Sequence, residues 1–208
     1  PPTNFNNLNW YGASKLSGEI AIQDWYHHTR LDSWLLVDSL RLNKFYIGNL
    51  QGVGTYLADD KAMDVNLNLN RLGESVLLLT GSYKPFEEEQ KLNLKAELNQ
   101  TDLQILEPFT EGVFSGLKGS ASGNLRIGGL PTKPEITGDI VFLKAGAVFD
   151  YLKTSMSVSD TVNFTRRKIF AKNWKVLDPE GNKSLVNTSL HFPEGKPFEL
   201  DIQANLDH

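Results

Sequence analysis

The chain contains no cysteine, which excludes a disulfide framework and any thiolate-held metal. That is compatible with an oxidising compartment without requiring one. Long apolar runs are missing too. The longest, Trp34 to Val37 and Val76 to Leu79, fall far short of the length a helix needs to cross a bilayer. Positive charge is not in surplus: 21 Lys and Arg face 25 Asp and Glu, for a formal net charge of −4. That balance argues against a nucleic-acid partner, whose phosphates would have to be neutralised. The start, Pro1, Pro2 and Thr3, has neither the basic region nor the apolar stretch of a leader. The end follows a strand pattern from Phe198 to Leu206 without a closing cap. The chain therefore reads as a fragment of a longer protein, and the missing leader says nothing about where that protein resides. Strand–helix alternation is also absent, which argues against a parallel α/β sheet. Hydrophobic residues make up 40% of the 208, a little low for a globular chain. One apolar sheet face fits that fraction better than a two-layer core.

What the chain has instead is alternation of period two. Residues 119–142 set the pattern as one hairpin. Leu125 and Ile127 alternate with Asn124, Arg126 and Gly128. Gly128, Gly129, Pro131 and Pro134 are expected to break the ladder. Ile136, Gly138, Ile140 and Phe142 then resume the period, with Thr137, Asp139 and Val141 on the other face. The same unit recurs along the chain. Ile20 and Ile22 alternate weakly with Ala21 and Gln23. Trp34, Leu36, Leu40 and Leu42 share a parity interrupted by Asp38. Gly48, Gly52 and Gly54 suggest bends or a bulge in the strand from Phe45 to Tyr56. Val65, Leu67 and Leu69 alternate with Asn66, Asn68 and Asn70, and Leu92, Leu94, Ala96 and Leu98 with Asn93, Lys95, Glu97 and Asn99. Val76 to Leu79 is continuous, so its facing is open. Glu87, Glu88 and Glu89 mark a solvated loop. Asp178 to Asn182 and Pro193 to Pro197 mark turns. Val186, Thr188, Leu190 and Phe192 alternate again, as do Phe198, Leu200, Ile202, Ala204 and Leu206. One short helix is expected near 101–110, capped by Thr101 or Asp102 and limited by Pro108, with the role of covering one end of an apolar groove.

These segments amount to roughly a dozen short strands, and the fold class expected is all-β. Stacked in order, such strands extend to nearly ~60 Å. If the sheet curls, its apolar parity lines a trough and its Asn, Lys and Glu parity faces water. A closed β-sandwich that binds glycans or protein partners is the alternative reading of the same pattern, and a hydrolase on a β-scaffold a more distant one.

The run Leu106, Phe109, Phe114, Ser115, Leu117, Gly119, Ser122, Gly123, Leu125, Gly129, Pro134, Ile136 and Gly138 resembles the C-terminal domain of the TamB family (translocation and assembly module), within the AsmA-like group. Tyr151 and Leu152, the turn at Asp178, Gly181 and Asn182, and His191 with Phe192 follow the same pattern. The match spans residues 60–206. The Asn-rich polar faces resemble a Bacteroidetes-type version. The resemblance implies an elongated, taco-shaped β-groove with an apolar interior and no enzymatic activity. It also implies a periplasmic location, with the parent anchored in the inner membrane by an N-terminal helix absent from this fragment. The partners implied are phospholipid or another acyl-chain ligand and a TamA-like outer-membrane barrel. The roles implied are lipid transport to the outer membrane and outer-membrane protein assembly.

The groove-lining candidates are Val65, Leu67, Leu69, Leu92, Leu94, Leu98, Leu125, Ile127, Ile136, Ile140, Phe142, Leu200 and Ile202. Each buried CH2 of an acyl chain gains about 0.8 kcal/mol, so many weak, equivalent positions suit passage better than one deep pocket. Other features read as ordinary structure. His27 and His28 are adjacent, so in a strand they face opposite sides and cannot share a metal. Asp59 and Asp60 lack the spacing of a calcium loop. Gly116, Gly119 and Gly123 lack the Gly-Lys-Ser/Thr ending of a phosphate loop. Arg166, Arg167 and Lys168 read as a solvated turn, with lipid headgroups as the functional alternative. Trp25, Trp34 and Trp174 read as core or groove wall, with sugar stacking as the alternative. No catalytic set, metal site or cofactor motif emerges from spacing.

Overall fold

The structure is a computed structural model. It describes residues 15–24, 26–42, 45–110, 112, 114–150, 154–177, 183–191 and 199–206. The strands are β1 (Lys15–Gln23), β2 (Arg30–Leu42), β3 (Phe45–Leu57), β4 (Ala62–Arg71), β5 (Glu74–Tyr83), β6 (Leu92–Asp102), β7 (Phe114–Leu130), β8 (Lys133–Phe149), β9 (Thr154–Val158), β10 (Thr161–Thr165), β11 (Lys168–Leu177), β12 (Lys183–His191) and β13 (Glu199–Leu206). They form one antiparallel sheet in which β1 to β8 and β10 to β13 neighbour each other in chain order, while β9 pairs with β8 and β11. The sheet is curled and does not close.

Register shows what the alternation achieves. Gly18, Leu35, Gly52, Leu67, Leu79, Ala96, Leu125, Gly138, Phe164, Ile169, Leu190 and Leu200 are paired in sequence across the sheet. Directly paired residues share a face, so this rung is apolar or glycine throughout. The neighbouring rung, on the opposite face, runs Ser17, Leu36, Gln51, Asn68, Leu78, Glu97, Asn124, Asp139, Asn163, Phe170, Ser189 and Asp201. It is polar except at Leu36, Leu78 and Phe170.

Curling crowds the apolar side. A Cβ on Gly52 would lie 2.7 Å from Leu67 Cδ2, and one on Gly138 would lie 2.1 Å from the Asn124 carbonyl oxygen. Gly138 also holds φ at +132°, which a side chain would resist.

Bulges bend the strands near one row. Ser39, Gln100, Lys144 and Asn173 have φ of 51°, 44°, 50° and 53°, each beside a shift in register. The N–H of each donates to a side chain across from it: Asn49 Oδ1 at 2.8 Å, Ser122 Oγ at 2.9 Å, Ser159 Oγ at 2.8 Å and Asn187 Oδ1 at 2.7 Å. The extra residue sharpens twist and bend, and the polar acceptor keeps its N–H satisfied.

Several local expectations change. The 119–142 hairpin is longer than its alternation suggested. Gly129 pairs with Pro134 and Leu130 with Lys133, so only Pro131 and Thr132 turn. Gly128, Gly129 and Pro134 stay in the ladder, with the N–H of Gly129 donating to Gln90 Oε1 at 3.2 Å. In β2, Trp34 and Leu36 lie on the polar face, opposite Val53 and Gln51. After the bulge at Ser39, Leu40 packs with the cluster of Ile47, Leu69, Val76 and Ile105. The run Val76 to Leu79 has no alternation because β5 is irregular there: Leu69 pairs with Leu77 but Asn70 with Ser75, leaving Val76 as the extra residue, buried in that cluster. Residues 1–14, 25, 151–153, 178–182 and 192–198, where some of the expected loops and turns fall, lie outside the described residues.

The helix near 101–110 begins as a 3-10 turn, Leu103–Leu106, and continues as α1 (Glu107–Thr110). Asp102 caps it, accepting the N–H of Gln104 at 3.0 Å. Pro108 sits in the first turn of α1, where its missing N–H is tolerated. Leu103 packs with Leu117, Ala121, Ile140 and Ala145, while Ile105 packs with Ile47, Leu69 and Val76.

The bulges carry opposite predictions for the two partners of one motif. Gln100→Gly keeps the left-handed conformation but removes the Cβ that makes it costly, and raises stability by about 1 kcal/mol. Asn187→Ala leaves the Asn173 N–H without its acceptor and lowers stability by about 1 kcal/mol. Urea unfolding midpoints read both.

Candidate functional site

The candidate site is the apolar face itself. Val65, Leu94, Ile127 and Ile136 lie on one rung, joined through Gly81. Leu67 and Leu125 lie on the central rung, and Leu69, Leu98 and Ile140 on the next, joined through Leu77 and Gly123. Leu92 pairs with Tyr83 and Gly129 on the outermost rung, and Phe142 faces Ala121 beside the bulges. Leu200 and Ile202 hold the matching positions on β13, opposite Leu190 and Thr188. Register thus places all the groove-lining candidates on one face. It adds Leu79, which the unbroken run of β5 concealed. Thr80 and Ser82 alternate with Leu79 and Gly81, and reading backwards from the following turn would have assigned it.

Coverage of this face is graded. Next to the bulges, Val37, Leu69, Ala96, Ala121, Ile140 and Ala171 are buried, with Leu103 and Ile105 of the 3-10 turn lying over part of the row. Val65, Leu67, Leu92, Leu94, Leu125, Ile127 and Ile136 are half-buried. At the β1 end, Leu16, Ile20 and Ile22 are 69%, 71% and 53% exposed. No second sheet lies over the trough among the described residues. Any apolar chain laid there would recover about 25 cal/mol for each Å² removed from water.

The other candidates do not assemble. His27 Nδ1 lies 3.6 Å from Asp24, while His28 Nδ1 lies 2.6 Å from Asp59 Oδ2, and all four side chains are well exposed. Asp59 and Asp60 sit in the β3–β4 turn. No group of three or more His, Cys, Asp or Glu among the described residues is placed to hold a metal. Arg166 and Arg167 form the β10–β11 turn, with Lys168 opening β11. Trp34 is exposed on the polar face, with Nε1 donating to Glu19 at 3.3 Å. Trp174 stands edge-on to Phe142, centroids 6.2 Å apart, and donates to the Thr161 carbonyl at 3.1 Å. These two tryptophans lie on β2 and β11, far apart in strand order, and so do not form one sugar-stacking platform.

No family model matches the chain, and no curated protein or solved structure shows significant similarity to it.

The coverage gradient predicts unequal truncation costs. Leu103→Ala opens a cavity between packed groups and lowers stability by about 3 kcal/mol. Leu94→Ala removes a half-buried side chain and lowers it by about 1 kcal/mol. Thermal or urea denaturation of the two variants separates them.

The His28–Asp59 pair ties the β1–β2 turn to the β3–β4 turn. The hydrogen bond to Asp59, reinforced by its negative charge, raises the imidazole pKa above the ordinary 6.5. The stabilisation is therefore fully present below the ordinary pKa and is lost as pH rises through the raised value. Proton NMR of His28 should show a midpoint above 6.5 that Asp59→Asn returns to it.

Proposed function

We propose that the chain is a stretch of a TamB-like periplasmic β-groove, non-enzymatic, that shields acyl chains of phospholipid between the inner and outer membranes and supports outer-membrane assembly beside a TamA-like barrel. One observation carries this reading: an apolar rung continuous across twelve neighbouring strands, on a face that no second sheet covers among the described residues. A sandwich module would need two facing sheets, and its alternating leucines would be sealed between them. Here they are half-buried and accessible.

The chemistry of passage favours this geometry. Leu, Ile and Val at every second position present repeated, similar contacts along the direction in which the strands stack. A sliding acyl chain then exchanges one set of contacts for an equivalent one, without a deep minimum to escape. The bulged row is deeper and the β1 end more open, so the trough has a floor and a mouth. The 3-10 turn occupies the floor with Leu103 and Ile105 and leaves the rungs of Leu94 and Leu67 free.

Organic extraction of the purified chain followed by mass spectrometry should recover phospholipid. Leu94→Arg places an uncompensated cation in the trough and should abolish that recovery while the exposed-face control Lys95→Gln retains it. In the full-length parent the same arginine should compromise outer-membrane integrity. A lipid-free extract from the unaltered chain, or normal growth and envelope integrity with the arginine in place, would overturn the proposal.

A further inference from the structure

The polar face carries a cleft of about 370 Å³, lined mostly by polar residues and bordered by Leu92 and Ile127, whose strands also contribute to the groove. Lys84 and Lys91 bound it from the β5–β6 loop, where the N–H of Lys84 donates to the Lys91 carbonyl at 2.8 Å. Arg126 reaches it from β7, and Arg166 from the β10–β11 turn. One carboxylate lines the cleft with these four cations, that of Glu135, and it is engaged by Arg166 Nε at 3.1 Å. Arg126 also pairs directly with Lys95 on β6. Like charges opposite each other in a sheet repel. Lys95 is relieved by Glu97, whose Oε1 lies 2.6 Å from its Nζ. Arg126 has no carboxylate partner among the described residues.

A chain of net charge −4 thus gathers cations from three separate segments around one concavity. We infer that this cleft binds a phosphate-bearing anion, either a soluble phosphate ester or the phosphate of a lipid headgroup. Arg126 and Arg166 supply forked donors, and Lys84 and Lys91 supply point charges. A phosphate carries more acceptor oxygens and more negative charge than a single carboxylate, so it can engage and neutralise more of these groups at once. The volume leaves room for the glycerol or sugar that carries it.

NMR titration of the full chain with inorganic phosphate tests the inference. Amide resonances of Gly128 and Thr137, which line the cleft, should shift saturably. Lys84→Gln combined with Arg126→Gln should weaken the apparent affinity about tenfold or more, while Lys61→Gln, in the β3–β4 turn, should leave it unchanged. Both altered side chains are exposed, and the Arg126→Gln single variant replaces the double one if circular dichroism shows the latter unfolded. Absence of shifts, equal shifts in wild type and variant, or equal affinity for sulfate would overturn the assignment. Flotation with vesicles of phosphatidylcholine, with and without phosphatidylglycerol, then separates the two sources. Binding that requires both phosphatidylglycerol and Arg126 assigns the headgroup, whereas phosphate shifts without flotation assign the soluble ester. Acyl-chain recovery from the trough should be unaffected by these variants, so the groove and the cleft stand or fall separately.

Discussion

Side chains alternate along a strand, so a sheet keeps an apolar face only where every strand holds its neighbour in phase. Here that phase survives across twelve neighbouring strands. A slip of one residue between β4 and β5 would bring Asn66 or Asn68 level with Leu79 on a face otherwise apolar. Repeats this similar specify register weakly by themselves. Specific close approaches pin it instead. Gly138 fits where the Asn124 carbonyl passes within 2.1 Å of the site a Cβ would occupy. The acceptors on Asn49, Ser122, Ser159 and Asn187 meet their bulged N–H groups only in this register.

A single layer leaves its apolar face to water unless it bends or is covered, and this protein does both in part. The bulges bend the strands beside the row of Val37, Leu69 and Ile140, which is buried, and the 3-10 turn seats Leu103 and Ile105 against it. Farther along each strand the rungs remain half-buried, and at β1 they are open. Buried and accessible apolar positions therefore occur on the same strands, a few residues apart.

The two faces divide the chemistry. The inner face offers apolar surface without directional polar groups. The outer face carries nearly all the charge, and there neighbouring groups differ in how they are balanced. Lys95 has Glu97 and Arg166 has Glu135, while Arg126 stands in a cleft of cations. A net charge summed over the chain conceals that local arrangement.

Alternation was legible wherever each strand carried its own pattern, because period two is a local property: Val65 to Asn70, Leu92 to Asn99 and the hairpin around Leu125 and Ile136 all fall on the faces their spacing indicates. Asp102 and Pro108 likewise marked a short capped turn. What remained hidden depends on neighbours. The bulge residues Ser39, Gln100, Lys144 and Asn173 are ordinary polar residues, and the side chain that satisfies each bulged N–H lies across the ladder; so the parity of β2 could not be read along the chain, nor could the extra residue Val76, which only the pairing of β5 with β4 reveals. The cleft brings Lys84 and Lys91 together with Arg126 and Arg166, whose separation in sequence gives no sign of convergence. The amino-acid order by itself determined that this is an all-β chain with one apolar parity. Only the tertiary structure decided that this parity forms one continuous, partly uncovered face, because strand pairing and curvature are set by contacts between segments and not within them.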